Sequence, residues 1–400
     1  MPSPSDSHSA FKPPHCPNPD CVFHLESTGW RFKRAGFYHR DARPHRIQRY
    51  RCSHCHRAFS SQTFSPTYWL RRPDLLEPVF RAEVAGSGHR QIARQFGVVH
   101  ATIQRLVDRL GRHCLLLHET FRKKAQAHLS KEPVVMDGLG TFAGGQYWPL
   151  ELTGLIGSAT YYSHDFVVTE RRRGGTMTEL QKKRRAAYEE KLGRPDPKAL
   201  TRDVLELLRT NLPTEGPIEL RTDEKSEYRT ALKRLGHPGI EHETTHSKAP
   251  RTAKNPLFAI NAHHMFVRHS GANHKRETVA FSKRIQAVIH RHAIFQVWRN
   301  LVKVASERQT GKGNPGTAAR DHAGAMERRA GVEGSAVSEP NRAARARATG
   351  LPGRLHEPVR ATRAGDSTSA SVLRGVRRYE ASKLVNKSVL DRGAVQSASD

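Results

Sequence analysis

Four cysteines constrain the start of this chain more tightly than any other feature: Cys16-Pro-Asn-Pro-Asp-Cys21 and, further on, Cys52-Ser-His-Cys55. Each pair is spaced so that a backbone turn presents both sulfurs to one ion. Two such knuckles together supply tetrahedral sulfur coordination, which suits a structural Zn2+. Disulfides are the other use of paired cysteines, but the N-terminal stretch Met-Pro-Ser-Pro-Ser-Asp-Ser-His has no apolar run of the kind a secretion signal needs. Residues 15–65 are therefore expected to form a zinc ribbon. Tyr50-Arg51 and His56-Arg57-Ala58-Phe59 would be the hairpin arms around the second knuckle. So small a domain has little core of its own, and the metal would supply much of its folding energy. His15, His24, His54 and His56 are spare ligands nearby. Cys114, within Arg-His-Cys-Leu-Leu-Leu, reads as core filling. Residues 1–14, rich in Ser, Pro and His, read as a disordered leader.

Charge narrows the partner. The 400 residues carry 67 Lys+Arg against 38 Asp+Glu, a formal +29 spread through every segment. Such a surplus favours a polyanion, and nucleic acid is the default. No window reaches the eighteen or so consecutive apolar residues of a membrane span, so no membrane partner is expected, and the chain is placed in the cytoplasm with the nucleoid. Within the ribbon, Arg31, Lys33, Arg34, Arg40, Arg43, Arg46, Arg49 and Arg51 are interleaved with Phe37, Tyr38 and Tyr50. This is the pattern of a phosphate-contacting surface.

Residues 72–125 read as an all-α, DNA-binding helix-turn-helix domain. Leu75, Val79 and Val84 line one helical face that Gly86-Ser-Gly88 stops. Arg90-Gln-Ile-Ala-Arg-Gln-Phe-Gly97 gives a short helix, Val98-Val99 a turn, and residues 100–111 a second helix with Ile103, Leu106, Val107 and Leu110 inward. A short helix, a glycine turn and a polar-faced second helix form the motif that lays its second helix in the major groove of DNA. His100, Thr102, Gln104 and Arg105 would face base edges, and Arg90 and Arg94 would face phosphates. Any small three-helix bundle has a similar pattern; the neighbouring ribbon and the charge favour the DNA-binding one.

Residues 133–305 alternate short strands and helices. Pro133-Val-Val-Met-Asp137-Gly138 reads as a buried strand ending in a carboxylate, and Ile218-Glu-Leu-Arg-Thr-Asp223 repeats the pattern. An aspartate ending a strand most often caps a turn. Two of them invite a second use, because neighbouring strand-end carboxylates can converge on a divalent metal. Between them lie strands at 149–156 and 161–169, a basic helical stretch around 178–185, and an amphipathic helix at 197–212 with Leu200, Val204, Leu207 and Leu208 on one face. A helix at 226–235, an extended piece at 241–245 and helices from about 256 to 304 follow. Three strands, helix, strand, helix, strand, helix is the order of a ribonuclease-H-like α/β fold, in which the first and fourth strands are neighbours. Asp137 and Asp223 would then lie side by side, an arrangement able to hold two Mg2+ ions for phosphodiester chemistry.

Taken together these pieces resemble bacterial insertion-sequence transposases of the DDE type with an N-terminal zinc ribbon and helix-turn-helix. The residues that carry the resemblance are the four cysteines, Arg90-Gln-Ile-Ala, Val-Met-Asp137-Gly, Gly193-Arg-Pro-Asp-Pro197 and Leu-Arg-Thr-Asp223. Most specific are Asn273-His-Lys-Arg-Glu-Thr-Val-Ala-Phe-Ser-Lys-Arg284 and Val297-Trp-Arg-Asn300. The resemblance covers roughly residues 14–305. It implies strand cleavage and strand transfer at terminal inverted repeats, with Mg2+ or Mn2+ as catalytic cofactor. The implied partners are element-end and target double-stranded DNA, with a homo-oligomer on the DNA.

The third metal ligand stays open. In such transposases a Glu on the final helix precedes an Arg or Lys by seven residues; here Arg268 is preceded at that spacing by Asn261. Asn261, Glu277 and His264 are the alternatives. A related protein that binds DNA without cutting, a decayed transposase or a regulator, is the second reading. After about Ser306 the apolar periodicity ends, and residues 306–400 are rich in Arg, Ala, Gly and Ser. This stretch reads as disordered, or as the product of a frameshift that replaced the original C-terminus.

Overall fold

The structure, a computed structural model, describes residues 11–42, 44–125, 131–304 and 313–316. The leader up to residue 10 and nearly all of the expected 306–400 tail lie outside the described residues. The chain divides into two compact units, one ending at Pro78 and one beginning at Val79.

In the first unit the stretch between the cysteine pairs folds as β1 (Phe32–His39) and β2 (Arg46–Cys52), paired antiparallel. β3 (Ala58–Ser60) adds to β2 across the second knuckle. The sheet has three strands where a two-armed hairpin was expected, because the segment between the knuckles supplies a strand of its own. Along β2, Tyr50 and Cys52 are buried and alternate with exposed Arg49 and Arg51, and Ile47 is buried on the opposite face from Tyr50. Tyr50, Phe59 and Phe64 pack with Cys16, Cys21 and Cys52, and Trp30 and Phe32 close the cluster. This architecture is compatible with a zinc ribbon.

The second unit is mixed α/β. β4 (Val134–Phe142), β5 (Pro149–Gly157) and β6 (Ser163–Glu170) form an antiparallel meander. After α4 (Glu179–Leu192) and α5 (Ala199–Asn211) the chain returns as β7 (Ile218–Asp223), parallel to β4. α6 (Ser226–Leu235) then carries it to β8 (Ile240–Thr245), parallel to β7, and the five strands lie in the order β6-β5-β4-β7-β8. The run Val134-Val135-Met136 is buried throughout because helices cover both faces of the sheet. Val134, Met136 and Leu155 pack under Leu200, Val204 and Leu208 of α5 and Tyr228 of α6. Val135 and Ile156 pack under Leu257, Ala259 and Ile260, at the start of α7 (Phe258–Ser270).

Three expectations need correction. The strand expected to end at Asp137 runs on to Phe142, because β5 pairs along its whole length from Val134↔Gly157 to Phe142↔Pro149. The helical run expected from 256 to 304 is interrupted: α7 ends at Ser270 and α8 begins at Ile285, with the Asn273–Arg284 motif in the loop between. The second of the paired helices is far longer than residues 100–111. α2 (His89–Gln95) turns at Gly97, whose φ of 61° is the left-handed conformation glycine tolerates, and α3 runs unbroken over His100–Ala125.

Gly111 does not stop that helix. It lets α3 lie directly on α8 (Ile285–Leu301): a Cβ at Gly111 would come within 2.6 Å of the His290 Cα. Beside this contact His290 Nδ1 lies 3.1 Å from an Asp108 oxygen. A buried ion pair between Glu83, at the end of α1 (Leu76–Val84), and Arg291 of α8 ties a third helix to the same place. α2 and α3 belong to the same compact unit as the sheet.

Gly111→Ala separates the two roles of this glycine. Alanine favours an exposed helix interior over glycine by about 1 kcal/mol, but overpacking a close contact costs about 1–3 kcal/mol. The expected outcome is net destabilisation, read as a lower denaturant midpoint. A higher midpoint would mean that the α3–α8 crossing is looser than described.

Candidate functional site

The knuckles bring Cys16, Cys21, Cys52 and Cys55 together, with all four sulfurs within 4.8 Å of one another. Four converging thiols can hold a structural metal such as zinc, and among the described residues this is the only group of histidine, cysteine and acidic side chains that converges so closely. The Trp30 indole N–H donates to Cys52 Sγ at 3.3 Å. Burial pushes the Cys52 thiol up, but that donor and the backbone N–H groups of Cys55 and His54 outweigh it and bring it down to about 6. A thiol already inclined to ionise suits a metal ligand. Of the spare histidines, His24 spends Nδ1 on the Cys16 carbonyl at 2.8 Å, and His54 Nδ1 lies 3.6 Å from Cys21 Sγ.

In the second unit the register sets the two aspartates. β4 and β7 pair as Val134↔Leu220, Val135↔Arg221 and Met136↔Thr222, and there the ladder ends. Asp137 and Asp223 are the next residue on each strand. They therefore stand side by side where β4 parts from β7, each about four-fifths buried. Burial raises the Asp223 carboxyl above its usual range, and neighbouring Asp137 adds to the rise, while Lys225 opposes it.

A cation is already there. Lys225 Nζ lies 3.5 Å from Asp137 Oδ1 and 3.8 Å from Asp223 Oδ2. The same ammonium donates to Glu151 Oε1 at 3.0 Å and reaches Tyr228 Oη at 3.3 Å. Burial pulls Lys225 down, but Tyr228 and the three carboxylates keep it charged well above the ordinary lysine range. Glu151 and Lys225 were missed in the sequence. Glu151 sits in an ordinary strand, and only the glycine after Asp137 hinted that something large lies over β4.

The candidates for a third ligand separate cleanly. His264 of α7 faces the pair, with Nδ1 3.9 Å from Asp137 Oδ2. Burial, then Arg268 and Lys225, push its pKa down to about 3, so the ring is neutral. Asn261 is half-buried on α7, one helical turn earlier. Glu277 is not a helical residue: it is exposed in a bend within the loop between α7 and α8, since the final helix begins only at Ile285. Arg268, which set the spacing argument for Asn261, donates to the carbonyls of His274 and Gly140 at 3.0 and 3.2 Å and so anchors that loop to β4.

The residues expected to meet DNA lie on α2 and the first turns of α3. Arg90, Arg94, His100 and Arg105 are exposed, and Thr102 and Gln104 are half-buried, while Ile103, Leu106, Val107 and Leu110 point inward as expected. In the first unit the β1–β2 pair carries Arg46 stacked over Phe37 at 3.8 Å on one face and Arg49 over Tyr38 at 5.6 Å on the other. No helix among the described residues is long and apolar enough to cross a membrane.

Behind the aspartates lies a group of buried imidazoles. His292 touches the Phe166 ring edge-on at 4.3 Å, with His263 and His274 each 6.0 Å away. Neither ring nitrogen of His263 or of His292 has a hydrogen-bond partner. Burial is the first cause that lowers all three, His274 to about 3.

Compared with known proteins, the chain matches no family model, and no curated protein is similar to it in sequence.

Two outcomes follow from this geometry. Purified protein is expected to carry about one Zn2+ per chain, and Cys52→Ser or a strong chelator should abolish the folded signature of the first unit. Unaltered near-ultraviolet circular dichroism after complete metal removal would argue against a structural metal. The histidines make the second unit acid-labile. Their folded pKa values lie below the unfolded value of about 6.5, so the unfolded state binds more protons below that pH; each group costs about 1.4 kcal/mol per pH unit as pH falls from there toward its folded pKa. The melting temperature should drop steeply between pH 6.5 and 5, and His292→Phe should flatten that dependence.

Proposed function

We propose that this chain is a DNA transposase of the DDE type, which binds the terminal inverted repeats of its element and cleaves and joins strands in a metal-dependent reaction. The observation that carries the reading is the β4–β7 register, with Asp137 and Asp223 adjacent at the point where the strands separate. The strand order β6-β5-β4-β7-β8, antiparallel for the first three strands and parallel for the last two, supports a ribonuclease-H-like domain. The four-cysteine unit supports a zinc ribbon, and α2, the Gly97 turn and α3 support a helix-turn-helix whose exposed Arg90, Arg94, His100 and Arg105 meet DNA.

Asp137 and Asp223 would hold Mg2+ or Mn2+. The fit of these residues to a cation is supported by the Lys225 ammonium, which lies within 3.8 Å of both carboxylates. Divalent ions held there would supply activation of a water or a 3′-hydroxyl and stabilisation of the leaving oxygen. The protein's own part is to hold two carboxylates rigidly, on strands buried on both faces. Double-stranded DNA is the partner at element ends and target, with the protein as a homo-oligomer on the nucleoid.

A second reading, binding without cutting, is favoured by one specific observation. The side chain that α7 turns toward Asp137 is a neutral imidazole, His264, and neither Asn261 nor Glu277 brings a carboxylate there. Hard Mg2+ prefers oxygen ligands and negative charge, so the site is one charge short.

The experiment is a nicking assay on duplex DNA carrying the inverted repeats that flank the gene. Metal-dependent nicking that Asp137→Ala abolishes while binding persists is the expected result. Binding with no nicking by the unaltered protein selects the second reading. Nicking that survives Asp137→Ala overturns the catalytic role.

A further inference from the structure

Lys225 has a mooring that the aspartate pair does not explain. Glu151 pairs with Gly140 across the β4–β5 ladder and so shares a face of the sheet with Gly140 and Gly138, opposite to that of Asp137. Its side chain lies across β4 only because position 138 is glycine: a Cβ there would meet the Glu151 carboxylate and come within 2.8 Å of its Cγ and Cδ. Held in that gap and nine-tenths buried, Glu151 takes the Lys225 ammonium at 3.0 Å through one oxygen, and its other oxygen lies 3.5 Å from Arg171 Nε. The Tyr228 hydroxyl, on a fully buried ring, reaches the same ammonium at 3.3 Å. The Lys225 backbone N–H donates to Asp223 Oδ1 at 3.1 Å, which pins the start of the side chain as well as its end.

We propose that Lys225 is the built-in counter-cation of the Asp137–Asp223 pair, clamped there by Glu151 through the gap at Gly138, so that a divalent ion binds the pair only by displacing it. This rests on the reading of the pair as a metal site. The physical ground is competition between like charges for the same oxygens: an ammonium 3.5 and 3.8 Å from the two carboxylates satisfies part of the negative charge that would otherwise attract the metal. Glu151 acts through Lys225. It is a positioning residue, and its distance from the metal reading lies in the direction of its effect: removing a clamp strengthens metal binding, whereas removing a ligand weakens it.

The test measures Mn2+ binding directly, by electron paramagnetic resonance on the full-length, zinc-loaded protein, with no DNA and no turnover. Lys225→Met is expected to bind Mn2+ about tenfold more tightly than the unaltered protein, and Glu151→Gln about threefold more tightly. Lys225→Arg, which keeps the charge, should stay near the unaltered affinity, and all the gain should vanish when Asp137→Asn is added. Affinity that is unchanged or weaker in both Lys225→Met and Glu151→Gln overturns the proposal while leaving the metal-site reading standing. Absence of any Asp137-dependent Mn2+ binding in every variant overturns the metal-site reading itself. Because Glu151→Gln keeps the size of a buried side chain, it gives an answer even if Lys225→Met fails to fold.

Discussion

The second unit depends on where one ladder of hydrogen bonds stops. β4 pairs with β5 over its full length and with β7 for only three residues, from Val134↔Leu220 to Met136↔Thr222. Up to that point both strands are shut between α5 and α6 on one face and α7 on the other. Beyond it the strands part, and the first side chains past the dry core are Asp137 and Asp223. Two carboxylates at so short a remove from an apolar core need a cation. Lys225, two residues past the end of β7 and just before α6, supplies that cation with help from the far face of the sheet.

The helices on either side meet the same requirement differently. α3 and α8 approach so closely that only glycine fits at 111, and beside the contact lie a buried ion pair, Glu83 with Arg291, and the close approach of His290 to Asp108. Breaking such pairs one partner at a time is costly, because the remaining charge stays buried. The histidines between α7, α8 and β6 stay neutral for the same reason of burial. A basic chain has thus been given a core in which imidazoles fill volume, and α7 extends that habit to the position facing Asp137, where His264 contributes neither charge nor hydrogen bond to the aspartates' chemistry.

Much of this was legible from local patterns. The cysteine spacing marked the four thiols that converge, the short segments 133–137 and 218–223, each ending in an aspartate, marked two buried strands, and the 3.6-residue periodicity of Leu200, Val204, Leu207 and Leu208 marked α5. Gly97 was readable as a turn because its role is a backbone conformation. Gly111 and Gly138 were not, because each is there for a neighbour distant in sequence: His290 for one and Glu151 for the other. Glu277 looked like a helical acid because its motif lies between helical stretches, whereas the chain there is held as a loop by Arg268 and the carbonyls it binds.

What the sequence by itself determined is therefore the set of local facts: which cysteines pair into knuckles, which segments alternate with period two or 3.6, that two strands carry an aspartate at the edge of their apolar runs, and that the chain is strongly basic. These depend only on spacing along the chain. What the tertiary structure decided is which of those residues meet. The parallel register set Asp137 beside Asp223, the absence of a side chain at Gly138 brought Glu151 across the strand, and the turn after β7 swung Lys225 in among the three carboxylates. Charge balance at a site is a property of distances through space, and no pattern along the chain carries it.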